Sequence, residues 1–283
     1  MTQWSDRVAI VTGGGSGIGQ GLVRAIAARG AAVVACDISA QRIELIRQEV
    51  ESAGGTIDGI PLDVTDAEAV AEVVRGARQR HGRIDYIFNN AGIAVGGEVR
   101  NVELEDWQNV LKVNLDGVIH GVVSAYPIMV EQGFGHIINT ASIEGLAPFP
   151  STVSYVASKH AVVGLSTSLR IEGADLGVKV SVVCPGYIKT RIFEDSKFVG
   201  MDVQKEIEQV PNWFGITPDE CAKRILRGVD RNRAIIPITP MAWMLWMAMR
   251  VSPDSVIALM RRQLRRGRER NRNNTTTDPT GNS

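Results

Sequence analysis

Tyr155 and Lys159 stand four positions apart in the stretch SYVASKH, residues 154–160. On a helix, that spacing places both side chains on one face. A surface pair of this kind does nothing in particular. A buried pair lets an ammonium group favour the phenolate and makes the phenol useful for proton transfer. Ser142 precedes Tyr155 by thirteen positions and ends an apolar run, GHIINTAS. Its hydroxyl can hydrogen-bond a reacting oxygen and stabilise charge that develops there. Asn114 lies in KVNLDG, inside an otherwise apolar helical stretch where a polar side chain needs a partner. None of these residues acts alone, so the elements that carry them must bring them together.

Short β-branched runs recur along the chain: RVAIVT (7–12), AAVVACD (31–37), IDYIFNNAG (84–92), GHIINTAS (135–142), VKVSVVCPG (178–186) and AIIPIT (234–239). GTIDGIPLDV (55–64) is a weaker strand with polar interruptions. The strong runs are apolar on both faces, as strands of a covered parallel sheet are. Helical patterns separate them; one of these, TDAEAVAEVVRGARQRHG, opens with Thr65 as its expected N-cap. The alternation predicts one α/β domain over residues 1–239, doubly wound around a mostly parallel sheet. Carboxyl ends of strands in such a sheet form the ligand crevice, and Ser142 ends one of those strands.

The first strand runs into TGGGSGIGQG. Gly13, Gly17 and Gly19 stand where a strand turns into a helix and a phosphate must meet backbone without meeting a Cβ. The helix N-terminus then offers free N–H groups to a pyrophosphate. Asp37 ends the second strand eighteen residues after Gly19. A carboxylate there accepts from a ribose diol and repels a 2′-phosphate, so NAD is favoured over NADP. Arg42 is the nearest cation on that side, expected on the following helix. Asp63, in LDV, is read either as an adenine contact or as a charge at a helix N-terminus.

With these motifs in view, the chain resembles the short-chain dehydrogenase/reductase family over about residues 5–239. TGGGSGIG matches that family's cofactor loop, NNAG (89–92) its sheet-stabilising motif, and PGYIKT (185–190) its nicotinamide-holding segment. Asn114, Ser142, Tyr155 and Lys159 match its catalytic tetrad. The resemblance implies cofactor contacts from Gly13, Ser16, Gly17, Ile18, Gly19, Asp37, Asp63, Val64, Asn90, Ala91, Gly92, Tyr155, Lys159, Pro185, Gly186, Ile188 and Thr190. It implies that Asn114 orders a water joining Lys159 to solvent. It also implies homodimers or homotetramers built through the helices that hold Asn114 and Tyr155. The cofactor carries hydride, and Tyr155 acts as general base in oxidation and general acid in reduction. A phenol that normally titrates near ~10 needs a downward shift of ~2–3 units, roughly 3–4 kcal/mol, to serve near neutrality.

Substrate residues are expected in three stretches. Ile93 and Ala94 follow NNAG; Glu144, Leu146 and Phe149 follow Ser142; Ile192, Phe193, Phe198 and Trp213 lie in the long connection 187–215. A connection of that length signals a lid or binding loop. Its apolar wall suits an apolar secondary alcohol or ketone. A 3-oxoacyl thioester reductase and a non-catalytic dinucleotide sensor are the alternatives; Asp37 weighs against the first and the complete tetrad against the second.

Of the 283 residues, 44% are hydrophobic and the formal net charge is zero, which suits a folded domain and argues against bulk nucleic-acid binding. Three widely spaced cysteines read as reduced thiols, and the four histidines show no metal-ligand grouping, so no metal is expected. The N-terminus lacks signal-peptide features and no uninterrupted apolar run reaches ~18 residues, giving a cytoplasmic expectation. Past residue 239, MAWMLWMAM and SPDSVIALMRRQLRR form an apolar and amphipathic extension, 240–266. Ser252 is its expected cap, with Pro253 and Asp254 in the first turn. Residues 267–283 are expected to be a disordered tail. The extension is read as packing against the domain or a second subunit, with peripheral membrane contact as the competing reading.

Overall fold

A computed structural model describes residues 4–190, 196–200 and 215–276, with side chains described to residue 269. Among the described residues, seven parallel strands form one sheet in the order β3-β2-β1-β4-β5-β6-β7. They are β1 (Val8–Thr12), β2 (Ala32–Asp37), β3 (Ile57–Pro61), β4 (Tyr86–Asn89), β5 (Gly135–Thr140), β6 (Val178–Cys184) and β7 (Ile235–Pro237). Every residue of β1 is buried, and β2 and β5 are buried from their second residue onward. Both faces are covered, which explains why these runs do not alternate. The strand order reverses beside β1, where β4 pairs with it, and a crevice opens at such a switch point.

Helices α1 (Gly17–Ala27), α2 (Ala40–Ser52) and α3 (Ala67–His81) connect the first strands. The N-cap of α3 is Asp66 rather than the expected Thr65. Asp63 accepts from both the Thr65 amide, at 2.9 Å, and the Thr65 hydroxyl, at 2.8 Å. That turn occupies Thr65 and starts the helix one residue later, with Asp66 accepting from Ala69 at 3.0 Å. α4 (Leu104–Leu111) and α5 (Gly117–Gln132) are joined by a π-helical turn, Lys112–Asp116. Leu104–Gln132 is, among the described residues, the one helix long and apolar enough to cross a membrane by length and composition. Here it packs against α3 and α6 (Val153–Gly173) as part of the core.

α7 (Pro218–Asp230) crosses α1 closely enough that a methyl on Gly21 would come within 2.9 Å of the Pro218 carbonyl. α8 (Pro240–Val251) follows β7, and α9 (Pro253–Thr276) follows α8. α9 therefore continues ten residues past the expected boundary at 266, through residues expected to lack structure. Residues 277–283 lie outside the described residues.

Candidate active site

The crevice beside β1 is a cavity of about 660 Å³. One end is built by the glycine loop. Gly13 and Gly17 have φ of +64° and +51°, a region an L side chain rarely adopts. A methyl on Gly13 would also sit 2.9 Å from the Ala91 Cα. Gly13, Ser16, Gly17 and Ile18 line the cavity. Gly19 does not: a methyl there would overlap the Gly13 carbonyl, so this glycine lets the helix approach the loop. Ser16 occupies the N-cap of α1, and its side chain caps no amide there.

Asp37 is buried at the far end of the same wall. Its two oxygens accept from the Gly15 and Ser39 amides, each at 3.0 Å, which fixes the carboxylate. Arg42 lines that end too, from the first turn of α2. Asp63 and Val64 line the adjacent wall. Asp63 thus faces the cavity and holds Thr65 in the turn before α3.

The motif NNAG ties three strands together. The Thr12 hydroxyl accepts from the Asn90 and Ala91 amides, while Asn90 Nδ2 donates to the Thr12 carbonyl at 3.2 Å. Thr140 donates to Asn90 Oδ1 from β5. Beneath them, Asn89 donates to Asn139 at 2.8 Å and Asn139 to Ser166 at 3.0 Å. Asn90, Ala91 and Gly92 reach the cavity, as do Pro185, Gly186, Ile188 and Thr190 across from them. Thr190 packs over Gly17, with its Cγ2 3.3 Å from where a Gly17 methyl would stand.

Tyr155 lies on α6 and faces the cavity beside Ser142. Lys159, one turn on, is only 2% exposed. Its ammonium donates to the Thr140 carbonyl at 2.9 Å and stands 5.4 Å from the Tyr155 ring centre. Lys159 is thus buried, while Tyr155 is half-buried on the cavity wall. The electrostatics of the pair differ from expectation: in the ligand-free protein, burial pushes the Tyr155 phenol well above its ordinary value, and nearby Glu144 pushes it further. Only the Ser142 hydroxyl acts downward on it. Burial also brings Lys159 down to about 8. Burial is the largest cause of both shifts, a circumstance that spacing along the chain does not reveal.

Asn114 is fully buried in the π-helical turn and does not line the cavity. Its Oδ1 accepts from the Ile93 amide at 2.8 Å, and its Nδ2 donates to the Ile93 carbonyl at 2.9 Å and to Ser158 at 3.2 Å. Ser158 in turn donates to the Tyr155 carbonyl at 2.7 Å. Asn114 thus clamps the segment after NNAG to the helix of Tyr155. A π-turn widens a helix locally and frequently accompanies a functional site.

Of the substrate positions, Ile93, Ala94, Glu144 and Phe149 line the cavity. Leu146 does not; it is packed into the core cluster with Val162 and Ala141. The short 3₁₀ turn Ile143–Gly145 rotates successive side chains, so Glu144 faces the cleft and Leu146 faces inward. Ile192, Phe193 and Trp213 lie outside the described residues. Glu144 accepts from the Thr152 hydroxyl at 2.6 Å, and burial raises its carboxyl to about 7. Thr152, Val113, Tyr187, Ser196, Phe198 and Met241 also line the cavity; of these, only Phe198 stood out in the sequence. The four histidines bond to Asp58, Val64, Ser181 and Val156, and no metal-binding group of side chains occurs among the described residues. The three cysteines are free and buried, with burial pushing each thiol up to about 12.

The short chain dehydrogenase family model matches residues 7–197. The chain belongs to that family. Within it, the chain is 35% identical over 262 residues to the probable oxidoreductase EphD of Mycobacterium tuberculosis, a match spanning 89% of this chain and 44% of that protein. The chain thus spans less than half the length of that relative. It is 35% identical over 221 residues to the 3-oxoacyl-[acyl-carrier-protein] reductase FabG of Thermotoga maritima, covering 78% of this chain and 89% of that one. A short-chain dehydrogenase/reductase from Burkholderia phymatum, crystallised with NAD, superposes with a TM-score of 0.82 at 27% identity, covering 88% of this chain and 95% of that one.

Proposed function

We propose that the protein transfers hydride between NAD(H) and an apolar secondary alcohol or ketone, with Tyr155 as the acid/base. The observation that carries this reading is that Tyr155, Ser142 and Lys159 line one wall of a cavity whose other end is a glycine cradle closed by Asp37. The cradle fits a dinucleotide: a Cβ at Gly13 would fill the space against Ala91, and Asp37 presents a fixed carboxylate for a ribose diol. Gly13, Ser16, Gly17, Asp37, Asn90, Ile188 and Thr190 would hold the cofactor. When bound, its nicotinamide supplies or accepts the hydride.

The chain's own residues manage the proton. Ser142 orients the substrate oxygen beside Tyr155 and stabilises charge on it. Tyr155 takes the proton of an alcohol or returns one to a ketone. Lys159, anchored on the Thr140 carbonyl, biases the phenol toward its base form. Asn114 acts as a positioning residue, joining the Ile93 backbone to the helix of Tyr155 through Ser158. Phe149 and Phe198 give the remaining wall its apolar character. The exposed apolar side chains Leu104, Val123 and Ile171, on α4, α5 and α6, favour self-association through those helices.

The test is steady-state turnover of a panel of aliphatic, aryl and alicyclic secondary alcohols with NAD and with NADP. The reading predicts turnover of apolar members with NAD preferred. A second reading, reduction of 3-oxoacyl thioesters, is favoured by the likeness to FabG. Higher kcat/KM for an acetoacetyl thioester with NADPH than for every ketone with NADH would establish it instead.

A further inference from the structure

The two helices after the last strand present a surface unlike the rest of the molecule. A helix that follows a complete domain ordinarily turns its apolar side inward. On α8 only Ala242 is buried, while Met241, Trp243, Met244, Met247 and Val251 are all exposed. Met244, Met247 and Val251 recur at helical spacing and form one outward stripe, with Trp243 beside it. Trp246 packs inward and carries the Arg250 guanidinium 4.7 Å above its ring. α9 turns Val256, Met260, Leu264 and Gly267 toward the protein and leaves Ile257, Arg261 and Arg265 outward, again at helical spacing. Leu259 and Arg262 are exposed as well.

Charge is segregated with the same helices. Residues 250–272 contain eight arginines, one aspartate and one glutamate, a formal charge of +6. The whole chain is neutral, so the remainder carries −6. The α9 arm is tied to the body, with Arg268 forming a bidentate pair with Glu98 at 2.8 Å. Met241, at the start of α8, lines the cleft.

We propose that α8 and α9 together dock on the surface of an anionic phospholipid bilayer, with the α8 stripe inserted at the headgroup boundary and the α9 arginines on the lipid phosphates. Tryptophan favours that boundary, and arginines beside an apolar helix face bind anionic lipid. A second copy is a poorer occupant. A two-fold contact through this patch would set two +6 regions against each other. Nucleic acid would engage the arginines and leave the methionine and valine stripe in water. The placement of Met241 brings the cleft to the same side of the molecule as the docking helices. If the proposed hydride transfer holds, an apolar substrate would enter from the lipid phase; the docking itself does not depend on that activity.

The experiment is co-sedimentation of the full chain with vesicles of phosphatidylcholine alone and of phosphatidylcholine mixed with phosphatidylglycerol, in low and high salt. Two variants accompany it, Trp243→Ser/Met244→Ser/Met247→Ser and Arg261→Ala/Arg262→Ala/Arg265→Ala, each checked for an unchanged melting curve. The wild type should pellet with the mixed vesicles, weakly with the neutral ones, and less in high salt. The arginine variant should lose affinity on the order of a hundredfold, and the apolar variant about tenfold or more. Equal pelleting with and without phosphatidylglycerol overturns the proposal, as does unchanged pelleting of either variant. A fall in sedimentation mass of the apolar variant with no vesicle effect assigns the patch to self-association instead. Binding of a DNA duplex that survives the apolar substitutions, without vesicle binding, assigns the arginines to nucleic acid.

Discussion

Replacing Lys159 by methionine keeps most of the buried stem and removes the charge. In the folded protein the ammonium lies 5.4 Å from the Tyr155 ring centre. At the effective dielectric of about 20 that suits such sites, a unit charge at that distance contributes about 3 kcal/mol to the phenolate, or roughly two pH units. Burial already opposes the phenolate, so nothing else in the wall can replace that contribution except the Ser142 hydroxyl. Lys159 itself is brought down to about 8, so the ammonium that favours the phenolate is lost above that pH. The account predicts that kcat/KM for alcohol oxidation by the wild type rises with pH up to about 8. In Lys159→Met the rise should move up by about two units, with roughly a hundredfold lower kcat/KM at neutral pH. The assay is a pH profile of NADH formation under kcat/KM conditions, with NADH binding measured by fluorescence to separate cofactor affinity from proton transfer. An unmoved midpoint with unchanged cofactor binding would refute the reasoning.

Three further outcomes follow from named contacts. Glu144→Gln removes the charge that, after burial, most opposes the phenolate; the oxidation profile should shift to lower pH by about one unit, on the order of 1.4 kcal/mol. It should also lose any inflection near the carboxyl's own value of about 7. Asp37→Ser removes the carboxylate while Arg42 remains at the same end of the cavity, so the NADPH-to-NADH ratio of kcat/KM should rise at least about tenfold. His136 is buried against Ser181, and burial lowers it to about 3, so the unfolded chain binds its proton first. Stability should therefore be full above the unfolded value near ~6.5 and fall with pH toward about 3, by on the order of 5 kcal/mol. Urea melts of His136→Gln at several pH values should show that slope reduced; an identical slope in both proteins contradicts the assignment.

The sheet was legible because parallel strands covered on both faces leave continuous apolar runs; the six strong runs and the weaker GTIDGIPLDV all form strands. The glycine loop was legible because the backbone found at positions 13 and 17 strongly favours glycine. Gly19 illustrates the limit of motif reading: it stands in the pattern for packing against Gly13, not for lining the cavity. The Tyr155–Lys159 pair was legible from spacing, whereas the balance between burial and charge was not, because it depends on what surrounds the pair in three dimensions. Asn114 could be singled out as a polar residue in an apolar helix, but its clamp on Ile93 and Ser158 requires the π-turn. Leu146 misled because its place after Ser142 does not reveal which way the intervening 3₁₀ turn aims the side chain. The supporting hydroxyls of Thr12, Thr140 and Thr152 carried no local signal, since each takes its partner from a different strand or turn.

The central claim is that the Tyr155 hydroxyl moves the substrate proton. Single-turnover oxidation of the best alcohol by wild type and Tyr155→Phe, each saturated with NAD, tests it most directly. The account predicts that the phenylalanine variant binds NADH as the wild type does and forms NADH about 10²–10⁴-fold more slowly. Hydride transfer at the wild-type rate without that hydroxyl would contradict it.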